Sequence, residues 1–140
     1  MGKQDLLDFT DTLVKHHVAL KAKEKGFFCI TPHRFLNENK ILGGWIHGNI
    51  PEPSIEDIEK YLNNFDDLLI APTPGIIHEW LKRFHNISVH TEPRLLSSGK
   101  LIFSFYLFKN KKLRIKVRNA SEIESDAFEA GLYEALCRLP

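Results

Sequence analysis

Apolar residues recur at two spacings along this chain, and the clearer pattern begins at Thr73-Pro74. Threonine suits a helix N-cap and proline the first helical position. Ile76, Ile77, Trp80, Leu81 and Phe84 then follow at three- and four-residue steps, which predicts an amphipathic helix. His78, Glu79, Lys82 and Arg83 take its remaining faces, with Glu79 and Arg83 spaced as an i,i+4 ion pair. Asn86 is suited to end this helix in the left-handed conformation.

The spacing then changes to two. Residues 87–92 alternate, with Ile87, Val89 and Thr91 on one face. Ser97-Ser98-Gly99-Lys100 predicts a turn. Residues 101–108 are apolar on both faces, as a central strand should be. After the turn Lys109-Asn110-Lys111, residues 113–118 alternate strictly, placing Leu113, Ile115 and Val117 inward and Arg114, Lys116 and Arg118 outward. Ser121-Glu122-Ile123-Glu124 has the form of a capping box, opening a last helix whose buried stripe is Phe128, Leu132, Ala135, Leu136 and Leu139. Gly131, beside that stripe, allows close approach to the sheet.

The first half is less regular. Leu6, Phe9, Leu13, His17 and Leu20 predict one helix over residues 5–25, stopped by Gly26. Residues 27–30 read as a short buried strand, Asn37-Glu38-Asn39-Lys40 as a turn, and residues 41–47 as a second strand interrupted at Gly43-Gly44 by a bulge or a close approach. Pro51 and Pro53 mark a loop, and Ser54-Ile55-Glu56-Asp57 opens a helix to about Asn64, followed by the apolar run Leu68-Leu69-Ile70. The fold class expected is α+β: an antiparallel sheet packed against helices, with an α-β-β-β-α C-terminal half over about 73–140. A helix-and-hairpin part over about 1–65 joins the same single domain, since no linker-like stretch separates the halves.

Composition narrows the function without naming it. With 140 residues, ten Phe and two Trp, the chain can bury a core, and a wholly disordered chain is excluded. The formal net charge of +1 argues against a protein driven to nucleic acid by overall charge, though it leaves room for a local basic patch. Cys29 and Cys137 are far apart, which excludes a disulfide framework and a thiolate zinc site. Each lies in an apolar run and reads as a buried free thiol of a reducing compartment. The N-terminus carries acids and no apolar signal region, and no apolar run approaches a membrane span.

Three stretches carry a resemblance: Lys23-Glu24-Lys25-Gly26-Phe27 with Cys29; Ala71-Pro72-Thr73, Trp80-Leu81-Lys82 and His85-Asn86-Ile87 with Val89; and Glu129-Ala130-Gly131-Leu132 with Glu134-Ala135-Leu136. In order and spacing these resemble a set of small uncharacterised proteins of phages, prophages and gut bacteria. The resemblance implies no activity. The free thiols, the N-terminus without a signal region and the absence of a spanning apolar run give an expected cytoplasmic location, in a bacterium or a phage-infected host cell. From Pro74 onward the element order also resembles that of a double-stranded-RNA-binding domain. Such domains grip phosphate with lysines at the start of the last helix and touch a minor groove through the loop between the first two strands. Here Glu122, Glu124 and Asp126 stand at that helix start, and the loop over 93–100 offers Arg94 and Lys100 but no His. RNA binding by that route is not expected.

Catalytic chemistry finds little support. Of seven histidines, His78 and His85 share a helix face but sit about 10 Å apart along the axis, too far for one metal. HExxH, HxxxH and GxSxG are missing, Ser97-Ser98-Gly99 reads as a turn, and Gly43-Gly44-Trp45 lacks the lysine and helix of a phosphate loop. No catalytic, cofactor-binding or metal-binding residue is assigned. The candidate surface is a basic ridge of Lys109, Lys111, Lys112, Arg114, Lys116 and Arg118, in which Lys112, Arg114, Lys116 and Arg118 project from one strand face at intervals of about 6.5–7 Å. It could meet phosphates or an acidic partner, or be a solvated face that guards a strand edge. No aromatic is interleaved along it, which argues against single-stranded nucleic acid. The expectation is a non-enzymatic accessory protein that binds another protein. A nucleic-acid binder using residues 112–118 is the first alternative. A small enzyme or nucleotide-sequestering protein with a cleft between the halves is the second.

Overall fold

The computed structural model describes residues 13–43 and 54–140. The fold is α+β, with four α-helices and two antiparallel three-stranded sheets among the described residues. The chain divides between Thr73 and Pro74 into two compact units, each with its own sheet. No helix among the described residues is long and apolar enough to cross a membrane.

The first unit contains α1 (His16–Glu24), β1 (Arg34–Asn37), β2 (Lys40–Leu42), α2 (Ile55–Asn64), a 3-10 turn (Phe65–Asp67) and β3 (Leu69–Ile70), with strand order β2-β1-β3. The long helix expected over 5–25 is helical only from His16 within the described residues; Leu6 and Phe9 lie outside them. Lys15 is extended, with φ −69° and ψ 157°, and Leu13 and Val14 are buried without being helical. The Val14 N–H donates instead to the Pro72 carbonyl at 2.9 Å. The buried face of α1 is also not the expected one. Val18, Ala19 and Ala22 are buried, while His17 and Leu20 are exposed. Small side chains let a helix lie closer to its support than a leucine stripe does, and here close approach prevails over hydrophobicity. The stop at Gly26 is as expected, with φ +90°.

Residues 27–30 form no strand. Phe27 is buried, but Phe28 and Ile30 are 70% and 95% exposed. The strand forms later, at β1, because the turn at Glu38-Asn39 closes the shortest loop and pairs Arg34 with Leu42 and Phe35 with Ile41. β2 ends before Gly43, whose φ of +145° and contact with the Pro32 carbonyl leave no room for a Cβ. The rest of the strand expected over 41–47 lies outside the described residues. The buried Arg34 guanidinium sits 4.0 Å over the Phe65 ring and donates to the carbonyls of Thr31, His33 and Phe65, tying the 3-10 turn to β1. The capping box of α2 forms as expected: Ser54 Oγ accepts from the Asp57 N–H at 3.1 Å, and the Asp57 carboxylate accepts from the Ser54 N–H at 3.3 Å.

The second unit contains α3 (Pro74–His85), β4 (Ile87–Leu95), β5 (Leu101–Lys109), β6 (Lys112–Ser121) and α4 (Glu124–Cys137), with strand order β4-β5-β6. This is the expected α-β-β-β-α order, with β5 central. The buried stripe of α3 narrows to Ile77 and Leu81, because Ile76 and Phe84 are 43% and 72% exposed. Glu79 pairs with Arg83 at 2.8 Å, and Asn86 turns the chain into β4 with φ 54°. The core lies between the sheet and α4, where Ile87, Val89, Phe105 and Leu107 meet Ala127, Leu132, Ala135 and Leu136, all buried.

The capping box expected at Ser121 does not form. β6 runs three residues further than expected and holds Ser121 opposite Phe103, so Ile123 is the N-cap, and Ser121 Oγ accepts only from the Ile123 N–H at 3.1 Å. The cysteines also depart from expectation: Cys29 is half-buried and Cys137 exposed. Burial pushes the Cys29 thiol up, partly opposed by the nearby Arg34 charge.

Candidate functional site

The basic ridge does not form the single row that strict alternation predicts. β6 pairs Lys112 with Lys109, Leu113 with Phe108, Ile115 with Leu107 and Lys116 with Tyr106. Arg114 is thus an extra residue in a β-bulge, and a bulge resets which side chains face which way. Below it, Ile115 and Val117 share the helix-covered face with Leu107 and Phe105, as expected. Above it the alternation is reversed. Leu113 lies opposite Phe108 on the open face and is 52% exposed, and Lys112 goes to the other face beside Lys109. The structure therefore separates Lys112 from Lys116, and Lys111 sits in the turn with φ 66°.

What the register brings together instead is a face that sequence alternation does not show. From β4 come His90, Glu92 and Arg94; from β5, Ile102, Tyr106 and Phe108; from β6, Lys116, with Arg118, in the irregular stretch between Val117 and Ser121, close enough to act on the Tyr106 phenol. Lys116 Nζ stands 5.2 Å from the centre of the Tyr106 ring, a cation–π contact worth about 0.5–1 kcal/mol at an exposed site. The Tyr106 hydroxyl donates to the Glu92 carboxylate, which raises the phenol pKa, and the Arg118 charge acts in the opposite direction. The His90 and Phe108 rings meet edge to face at 5.4 Å, and His90 Nε2 lies 3.1 Å from Ser88 Oγ. Tyr106 and Phe108 are half-buried; His90, Arg94, Lys116 and Arg118 are exposed.

The expectation that no aromatic is interleaved with the basic ridge is thus corrected. The aromatics lie on the neighbouring strand, and the register places Tyr106 directly beneath Lys116. The sequence signal that could have found them is the i,i+2 pair Tyr106 and Phe108 inside an apolar strand, out of phase with the buried Phe105 and Leu107.

Charge on this sheet differs from that of the whole chain. Between Ile87 and Ser121 there are eight Lys and Arg residues and one carboxylate, Glu92. The near-neutral chain therefore concentrates positive charge on one sheet, a partition that the formal total of +1 conceals. Lys100 contributes least, since it pairs with Glu122 at 2.8 Å. Glu124 and Asp126 occupy the first turn of α4, and Glu124 accepts from the Thr91 hydroxyl at 3.2 Å.

His78, assigned to a polar face of its helix by the sequence pattern, turns inward. Its Nε2 accepts the Val89 N–H at 2.9 Å, which makes Nδ1 the protonated nitrogen, and its ring stands edge-on to Phe128 at 5.1 Å. Burial first, then the charges of Lys82 and His90, push its pKa down to about 4, against a smaller opposing effect of Glu79. This is a structural histidine closing part of the β4 edge. Among the described residues, no three His, Cys, Asp or Glu side chains lie together in a way that could hold a metal ion. Compared with protein-family models, curated proteins and solved structures, the chain matches none.

Proposed function

We propose that this protein is a non-enzymatic binding module that holds nucleic acid on the open face of β4-β5-β6. One observation carries the reading: a sheet face that bears Arg94, Lys116 and Arg118 places one of these cations, Lys116, over a half-buried aromatic ring, Tyr106. Phosphates are met by a row of cations whose affinity depends on counterion release, and bases by flat apolar rings, so the two residue types together fit this ligand better than either alone.

The test is fluorescence anisotropy with labelled oligonucleotides at 50 and 200 mM salt. Binding should weaken steeply as salt rises, and Arg94→Ala, Lys116→Ala and Arg118→Ala together should weaken it and flatten the salt slope by about one per lost phosphate contact. Lys109→Ala with Lys112→Ala, on the other side of the bulge, should change it less. Displacement of the oligonucleotide by polyglutamate at equal charge would assign the face to an acidic protein instead.

A protein partner, the expectation from sequence, is favoured by a different surface. Ile55, Ile58 and Leu62 lie on one face of α2 at three- and four-residue steps and are 76%, 40% and 69% exposed. α2 rests on the β1 side through Lys60 Nζ, which donates to the Leu36 carbonyl, and Tyr61, whose hydroxyl donates to the Pro32 carbonyl, both at 2.6 Å. An apolar helix stripe turned outward is a recurrent protein-docking feature. Ile55→Asp with Leu62→Asp should abolish capture of a protein partner while leaving oligonucleotide binding unchanged.

A further inference from the structure

We infer that the open sheet face takes single-stranded rather than double-stranded nucleic acid, with Tyr106 and Phe108 stacking successive bases; this rests on the nucleic-acid reading above.

Tyr106 and Phe108 are two residues apart on the central strand, so their side chains leave the same face about 6.5–7 Å from each other. That separation suits neighbouring bases of an extended strand. Each ring is half-buried and held by its neighbours. Glu92 fixes the Tyr106 hydroxyl from one neighbouring strand and Lys116 stands over its ring from the other, while His90 steadies Phe108 by an edge contact. A base arriving at Tyr106 takes the place of the Lys116 ammonium over the ring and leaves that cation free to meet the adjoining phosphate.

The chemistry of a duplex does not match. Its bases are already stacked on one another, so these rings gain nothing from them, and duplex readers rely on shape and on phosphate contacts across grooves. The elements that could reach across a groove here are poorly equipped for it. The start of α4 presents Glu124 and Asp126, and Lys100 at the β4–β5 turn is paired with Glu122. Within this unit, Lys116 and Tyr106 bring cation and ring together on the flat of the sheet.

The experiment compares a twelve-nucleotide single strand with a duplex of the same length, using the full chain at 50 mM salt. The single strand should bind at least tenfold more tightly. Tyr106→Leu and Phe108→Leu, which keep an apolar strand residue, should each weaken it by about tenfold, within the range measured for loss of one base–aromatic stack. Photo-crosslinking of a bromouridine-containing strand to the unaltered protein should place the adduct on β5. Equal binding of duplex and single strand, with both leucine variants unchanged, would overturn this inference while leaving the nucleic-acid reading intact. Crosslinks confined to residues outside 87–121 would overturn it as well. Absence of binding to either form would remove both.

Discussion

The Val89 N–H points away from the sheet and donates to Nε2 of His78, 2.9 Å distant on α3. A strand at the rim of a sheet leaves alternate amides without a ladder partner, and this bond supplies one of them from a side chain. It requires the imidazole to be neutral.

Acid should therefore weaken the second unit. The His78 pKa is pushed down to about 4 in the folded protein, below its ordinary value of 6.5. In that window the unfolded chain binds the extra proton, so stability is fully present above about pH 6.5 and falls as pH drops toward 4. Solvent screening at this half-buried ring limits the loss to about 1–2 kcal/mol. Urea denaturation at pH 7 and pH 4.5 measures it, and in His78→Gln the histidine-dependent part of the fall should disappear.

Gly131→Ala should destabilise the protein. A Cβ at this position would collide with Val89 Cγ1 and lie 3.1 Å from Phe105 Cδ1, both on the face that α4 covers. Alanine is the better helix former by about 1 kcal/mol, but crowding a filled core costs about 1–3 kcal/mol, and the crowding should prevail. The expected result is a lower denaturation midpoint with an unchanged slope.

Lys111→Gly should do the reverse. The β5–β6 turn places both Asn110 and Lys111 at positive φ, 54° and 66°, the geometry of a type I′ hairpin. Asparagine tolerates that region, lysine less so, and glycine is at home there. A gain of about 0.5–1 kcal/mol is expected in thermal or chemical denaturation, with oligonucleotide affinity nearly unchanged because Lys111 lies off the open face.

How much of this was legible in the sequence varies with the range of the forces involved. The capping box at Ser54, the helix start at Pro74, the left-handed Asn86 and the close approach at Gly131 are local chemistry or single-face packing, and residue types announce them. The helix start in the first unit was not legible, because Leu13 and Val14 have the same apolar character whether they continue a helix or lie extended beside Pro72. Phe27 to Ile30 looked like a strand, but a strand needs a partner, and the short turn after Asn37 supplied one to Arg34 and Phe35 instead. At the candidate site, Arg114 hid its role for a related reason. A bulge is a mismatch between two strands, visible only when both are laid side by side. In the sequence alone, Tyr106 and Phe108 are two positions of a strand apolar on both faces, and Lys112 stands in line with Lys116.

The surplus residue at Arg114 has a consequence for what this sheet can join. A rim strand with an unopposed residue bends and twists away from the straight course that another strand would follow. Growth by adding a second copy along β6 is thereby discouraged, and three strands are a natural width. Visitors are left the broad floor of the sheet rather than its border.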